Sequence, residues 1–186
     1  MDNQYTITLR KHYEDHFGIV GNKLRWSIDP HKKLDPFFHV LEFPPNPKHN
    51  MWTYCSVGMS PGIVSNIMVE LFIFSPKEDF TLVELLTVAA SYHKNAEPLD
   101  IHHTFNIGRP WLDNSKCDHC FISLPYLDGE KLEFFDFGGK TTHCYWVIPI
   151  TESEQNYKIE KGCNALEDLF EENAIDYINP QRKSLV

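Results

Sequence analysis

Asn66-Ile-Met-Val-Glu-Leu-Phe-Ile-Phe74, stopped by Ser75-Pro76, is the stretch that decides the fold class. From Ile67 onward every position except Glu70 is apolar, so both faces are built for burial. At this length, and rich in Ile, Val and Phe, the run reads as a central β-strand covered on both sides. A partner precedes it: Met51 to Met59 is aromatic and β-prone and ends in the turn Ser60-Pro61-Gly62. A helix follows it. Thr81 with Glu84 has the S/T-x-x-E pattern of a capping box, and Leu82, Leu85, Leu86, Ala89 and His93 share one face. Val88 and Ala90 make the other side apolar too, which predicts a well-buried helix.

Working outward, Leu9, Tyr13 and Phe17 recur at i, i+4 and i+8, a helical stripe over residues 6–17 with Gly18 as its stop. A strand is expected over Phe37 to Phe43, closed by Pro44, Pro45 and Pro47. Three more strands are expected at 118–124, 132–137 and 142–150, with Gly138-Gly139 turning the second into the third. Thr151 and Glu154 form a second capping box, and Gly162 stands where that helix should stop. A last helix over 164–172 turns Leu166, Leu169 and Phe170 inward and Glu167, Asp168, Glu171 and Glu172 outward. Hairpin-like strands with helices before, between and after them indicate an α+β fold rather than regular βαβ alternation.

At 186 residues, 42% hydrophobic and 13% aromatic, the chain can fill one core and is expected to form a single domain over 1–186. No run approaches the roughly 18–20 apolar residues of a membrane span. Met1-Asp2-Asn3-Gln4 lacks the basic and apolar regions of a secretory signal, and five cysteines are an odd set; a cytoplasmic location with reduced thiols is expected. The net charge is −9. It is uneven: residues 1–50 hold seven Lys/Arg against six Asp/Glu, the rest ten against twenty. Phosphate contacts need the opposite sign, so nucleic acid is not an expected partner, whereas an acidic surface speeds encounter with a basic protein.

Chemistry-bearing patterns are few. Cys117 and Cys120 have C-x₂-C spacing, with His102, His103, His119, His143 and Cys144 nearby in sequence. The pair enters a strand, however, where alternation sends Cys117 and His119 to one face and Cys120 to the other. A Cys/His metal-dependent enzyme on Cys117, His119, Cys120 and His143 remains an alternative; no metal or cofactor is expected. There is no dinucleotide fingerprint, P-loop or G-x-S-x-G, and the carboxylates of 167–172 sit on one helix face without a partner pattern for hydrolysis. Trp111 follows Gly108-Arg109-Pro110 in a loop, and two readings stay open: a binding hot spot, or a ring folded back onto the core.

The order of these pieces resembles the suppressor-of-fused domain family in its bacterial branch. The matching pieces are Tyr54-Cys-Ser-Val-Gly-Met-Ser60, Val69-Glu-Leu-Phe-Ile73, Leu85 to Tyr92, Asn106-Ile-Gly-Arg-Pro-Trp111 and Asp118 to Pro125. Val147-Ile-Pro-Ile-Thr-Glu-Ser-Glu154 with Tyr157, then Gly162, Leu166 and Asn179 to Leu185, complete the series, over roughly residues 40–185. The first 39 residues, a helix and an extension, match nothing in that pattern. The resemblance implies a mixed, mostly antiparallel central sheet flanked by helices, with no catalytic residues and no cofactor. It further implies a protein-binding domain. In the bacterial branch this is an immunity protein that neutralises a toxin, with a basic nuclease as the suited target; a peptide-binding adaptor that adds a partner strand is the alternative. Arg109, Trp111, Asp113 and Asp118 are the expected contacts, with Glu167, Asp168, Glu171 and Glu172 steering the partner.

Overall fold

The computed structural model describes residues 3–28, 34–60 and 68–186. Its elements in chain order are α1 (Gln4–Phe17), β1 (Asn22–Leu24), β2 (His39–Phe43), β3 (Trp52–Val57), β4 (Val69–Ser75) and α2 (Thr81–Asn95). There follow β5 (Thr104–Asn106), β6 (Cys117–Ser123), α3 (Glu130–Glu133), β7 (Phe134–Phe137), β8 (Lys140–Thr151), α4 (Glu152–Lys161) and α5 (Cys163–Glu172). The architecture is α+β, with a mixed, mostly antiparallel, open sheet, as expected. The chain divides into two compact units, residues 1–101 with 124–146, and residues 102–123 with 147–186.

The first unit is built on the stretch from which the sequence was read. β4 is buried at all seven positions, and pairs antiparallel with β3, which continues to β2 and β1. On its other side Val69–Phe72 runs parallel to His143–Trp146 of β8. Alternation puts Cys55, Glu70 and Cys144 on the face that meets α1, where Tyr5 donates to Glu70 and Tyr13 to the Cys144 sulfur. Tyr54, one residue along β3, points the other way and its hydroxyl accepts from the Asp79 N–H just ahead of α2. The strand is thus covered on both faces. The expected turn at Pro61-Gly62, and Asn66 and Ile67 of the expected strand, lie outside the described residues.

Local signals held where no competing group stood nearby. Gly18 closes α1 as expected, while the helix starts two residues earlier than read, at Gln4, where Asn3 caps it through Thr6 N–H. Gly138 and Gly139 both carry positive φ (61° and 76°) between paired Phe137 and Lys140, the backbone a two-residue hairpin turn requires. The Thr81–Glu84 box is a correction. Thr81 is already inside α2, and the Asp79 carboxylate accepts from both its N–H and its hydroxyl, doing the capping from two residues earlier. Leu132 and Glu133 are not strand either: they close the single turn of α3, and β7 begins at Phe134. On α2 Ala90 is buried as expected, whereas Val88 is about half exposed.

In the second unit β5 pairs antiparallel with β6, and α4 packs on β6 and α5. The Thr151–Glu154 capping box forms as expected. No helix among the described residues is long and apolar enough to cross a membrane.

Candidate functional site

Every residue expected at a partner surface falls in the second unit. α5 presents Asp168, Glu171 and Glu172 to solvent, while Leu166 and Phe170 are buried beneath them, Phe170 edge-on to Phe121 of β6. Glu167 is half-buried: it accepts from Ser123 Oγ at 2.6 Å and stands 3.7 Å from His102 Nε2, so it fastens the helix to β6 rather than standing free. The loop 107–116 separates the other candidates. Asp113 is exposed at φ 49°, and Asp118 is half-buried beside His119 Nδ1 at 2.7 Å. Arg109 curls back, its guanidinium donating to the carbonyl of Pro110 at 3.0 Å.

Trp111 is the residue whose expectation must be corrected. It is 1% exposed, its indole N–H donates to Ser115 Oγ at 3.1 Å, and Ser115 Oγ in turn accepts from Cys117 N–H. The ring is folded back onto the core, so the second of the two open readings holds. A loop position between Gly-Arg-Pro and Asp-Asn suggests exposure, but a ring this large contributes more by burial.

What anchors this surface is a feature that sequence reading met only as a capping box and a distant arginine. Arg182 grips Glu154 with two parallel bonds of 2.7 Å, from Nη1 to Oε1 and from Nη2 to Oε2. Thr151 N–H donates to Oε2 and Leu185 N–H to Oε1, while Nη2 also reaches the carbonyl of Pro149. Burial alone would push the Glu154 carboxyl up. The bonds and charge of Arg182 outweigh it and hold that carboxyl below the usual range.

The thiol and metal alternatives can be weighed on geometry. Burial raises the thiols of Cys55, Cys117, Cys120 and Cys144, so each is held neutral, and a neutral thiol is a poor nucleophile and a poor ligand. His119 is engaged by Asp118 and by Asn106 Nδ2, and His143 by Glu133 Oε1 at 3.1 Å. Among the described residues, the grouping of His, Cys, Asp and Glu donors spaced for a metal is another set altogether: His16, His49 and Asp128, in the first unit. Nothing in sequence pointed to it, because its members come from three separate segments with no ligand spacing.

Residues 35–183 match the family model "Suppressor of fused protein (SUFU)". The chain belongs to the suppressor of fused family. A solved SUFU homologue from Neisseria gonorrhoeae FA 1090 is 30% identical, superposes with a TM-score of 0.86, and is covered over 97% of its chain by 98% of this one. SUFU in the Sufu–Fu complex (11% identical, TM-score 0.71, 97% of this chain on 92% of that one) shares the fold. Drosophila Suppressor of Fused does too (12%, TM-score 0.70), with 97% of this chain spanning about half, 51%, of that one. Over 68 residues the chain is 32% identical to the immunity protein YqcF of Bacillus subtilis (strain 168), a match covering 37% of this chain and 35% of that protein. One of these solved structures is of a complex, Sufu with Fu. Val69-Glu-Leu-Phe-Ile73 is the core of β4, Thr151-Glu-Ser-Glu154 is the capping box, and the terminal Arg-x-Ser supplies Arg182 to Glu154 and Ser184 Oγ to Thr151 Oγ1 at 2.8 Å.

Proposed function

We propose that this SUFU domain is an immunity protein that neutralises a toxin by binding it directly, without catalysis. The observation that carries the reading is the acidic outer face of α5, where Asp168, Glu171 and Glu172 are all exposed on a helix pinned by Glu167 and Phe170. A fixed row of like charge on a chain of net charge −9 steers a basic partner and selects against acidic ones. The match to an immunity protein over 68 residues supports the same reading. A nuclease toxin, basic because its substrate is a polyanion, is the partner chemistry that suits this face best. Arg109, Asp113 and Asp118 are assigned to the same contact surface; Trp111, being buried, acts by holding that loop in place.

The test is co-purification of the tagged protein from lysate of its native cells with bound partners identified by mass spectrometry, followed by association kinetics with the partner recovered. A stoichiometric basic partner is expected. Reversing the charge of Asp168, Glu171 and Glu172 together should slow association about tenfold or more at low salt and flatten its salt dependence. Unchanged kinetics would remove α5 from the interface. A second reading, strand addition, is favoured by β5: at three residues it ends the strand order and pairs with β6 alone among the described strands. Binding of that kind rests on main-chain bonds and would survive the charge reversal.

A further inference from the structure

The last turn of α1, the turn before β3 and the turn before α3 bring three side chains to one point in the first unit. His16 Nε2 lies 2.6 Å, and His49 Nε2 2.7 Å, from the same Asp128 Oδ1. All three side chains are sealed, at 4%, 7% and 0% exposure. Each is held by its own backbone. Asn46 Oδ1 accepts from the N–H groups of Lys48 and His49, fixing the turn that delivers His49. Asp128 and Gly129 both donate to the carbonyl of Pro125. The His49 ring is walled by Phe17 and Phe74.

The exposed Lys48 places Nζ 2.7 Å from His16 Nε2 and 3.3 Å from its Nδ1, over the ring and out of line with either nitrogen's in-plane bonding direction, and donates to the His16 carbonyl at 3.2 Å. A positive charge thus already stands beside the cluster. Asp128 Oδ2, meanwhile, is buried with no hydrogen-bond partner, and such an atom is an unusual expense in a folded core.

A cation bound among these three groups gives the buried carboxylate a counter-charge that two neutral imidazoles do not supply. Two imidazole nitrogens and a carboxylate oxygen are the donor set of zinc-like ions and not of calcium or magnesium, which prefer oxygen alone. The end of α1 contributes the negative pole of its dipole. We propose that His16, His49 and Asp128 bind one divalent transition-metal ion of the zinc class, which displaces the Lys48 ammonium into solvent. Tetrahedral bonds of about 2.1 Å set the ligand atoms about 3.4 Å apart, so the three turns open by roughly 0.7 Å as the ion enters. Water takes the fourth position. The ion ties the end of α1 to the turns before β3 and α3.

The experiment uses the full chain, stripped of metal and titrated with Co²⁺ and then Zn²⁺. One equivalent of Co²⁺ should give visible d–d bands with no thiolate charge-transfer band in the near ultraviolet, and Zn²⁺ should displace it and raise the melting temperature. His49→Ala and Asp128→Asn should each weaken Zn²⁺ binding by about 100-fold or more, beyond what loss of an outer contact does. Lys48→Met, which cannot remove a ligand, should tighten it about tenfold by deleting a competing charge. No saturable binding by the unaltered chain, a thiolate band, or binding indifferent to both ligand substitutions overturns the proposal. If His49→Ala and Asp128→Asn fail to fold, the unaltered chain and Lys48→Met decide, and a Lys48→Met affinity that is unchanged or weaker overturns it.

Discussion

Glu70 in the first unit and Glu154 in the second are both fully buried, yet the two carboxyls are driven in opposite directions. Glu70 has no cation. It accepts from the hydroxyls of Tyr5 and Ser56 and from the N–H groups of Gly58 and Met59, and burial still pushes it up to about 7 against those four donors. Gly58 presents its N–H at φ 93°, a left-handed conformation that side chains rarely adopt, and a Cβ there would press to 3.3 Å from Thr6 Cγ2, so the loop that builds this cradle needs glycine. Glu154 sits in a comparable enclosure, but Arg182 holds it ionised. Neutral donors satisfy a buried carboxyl's lone pairs. Only a matched charge fixes its protonation state.

Breaking that distinction should have its largest effect at Arg182. Arg182→Met leaves Glu154 buried and unpaired and should cost about 3–5 kcal/mol in urea unfolding. A loss below about 1 kcal/mol would mean that the enclosure relaxes to admit water and the ion pair is dispensable. The variant should also take on the behaviour of Glu70, with a carboxyl that must be protonated to stay buried.

The next effect is a dependence on pH. Below about 4.5 Glu70 is protonated in both the folded and unfolded chain. Between that pH and about 7 only the folded state keeps the proton, so stability falls as pH rises through this window, by up to roughly 3 kcal/mol, and levels off above it. Glu154, held low, works the other way: its contribution is present at neutral pH and lost on acidification. Glu70→Gln keeps an acceptor for Tyr5, Gly58 and Met59 and can donate to Ser56, so it should fold and flatten the upper slope. An unchanged slope in that variant would place the titrating group elsewhere.

The smallest effect sharpens the comparison from the Glu154 side. Thr151→Ala removes the acceptor for the Glu154 N–H but leaves Arg182 in place, and should lose about 1 kcal/mol with no new pH dependence. A new alkaline loss of stability in this variant would show that the cap, and not Arg182, keeps Glu154 ionised.

Legibility in the sequence followed how local each cause was. β4, the Gly138-Gly139 hairpin and the Thr151–Glu154 box were readable because a few adjacent residues determine them. The Thr81–Glu84 box failed because Asp79, a charged acceptor two residues earlier, takes the Thr81 N–H that Glu84 would have accepted, and the Thr81 hydroxyl with it. β1 and β5 were missed because three residues carry no periodicity. Trp111 was ambiguous because its burial depends on Ser115 and the core, not on its loop. The Glu154–Arg182 pair and the His16–His49–Asp128 set were invisible as sites: their members lie 28, 112 and 79 residues apart, so only folding makes them neighbours.

The parallel pairing of β4 with β8 also has a kinetic side. Val69 is opposite His143, 74 positions later, so the second edge of the most apolar strand in the chain stays open until that much more polypeptide exists. At a synthesis rate of 5–20 residues per second the wait is about 4 to 15 s. Closing so long a loop is slow even once the chain is complete, so refolding should fall in the millisecond-to-second range. For that interval the Val69–Phe72 edge is bare, and aggregation during expression, not instability of the finished protein, is the hazard this topology carries.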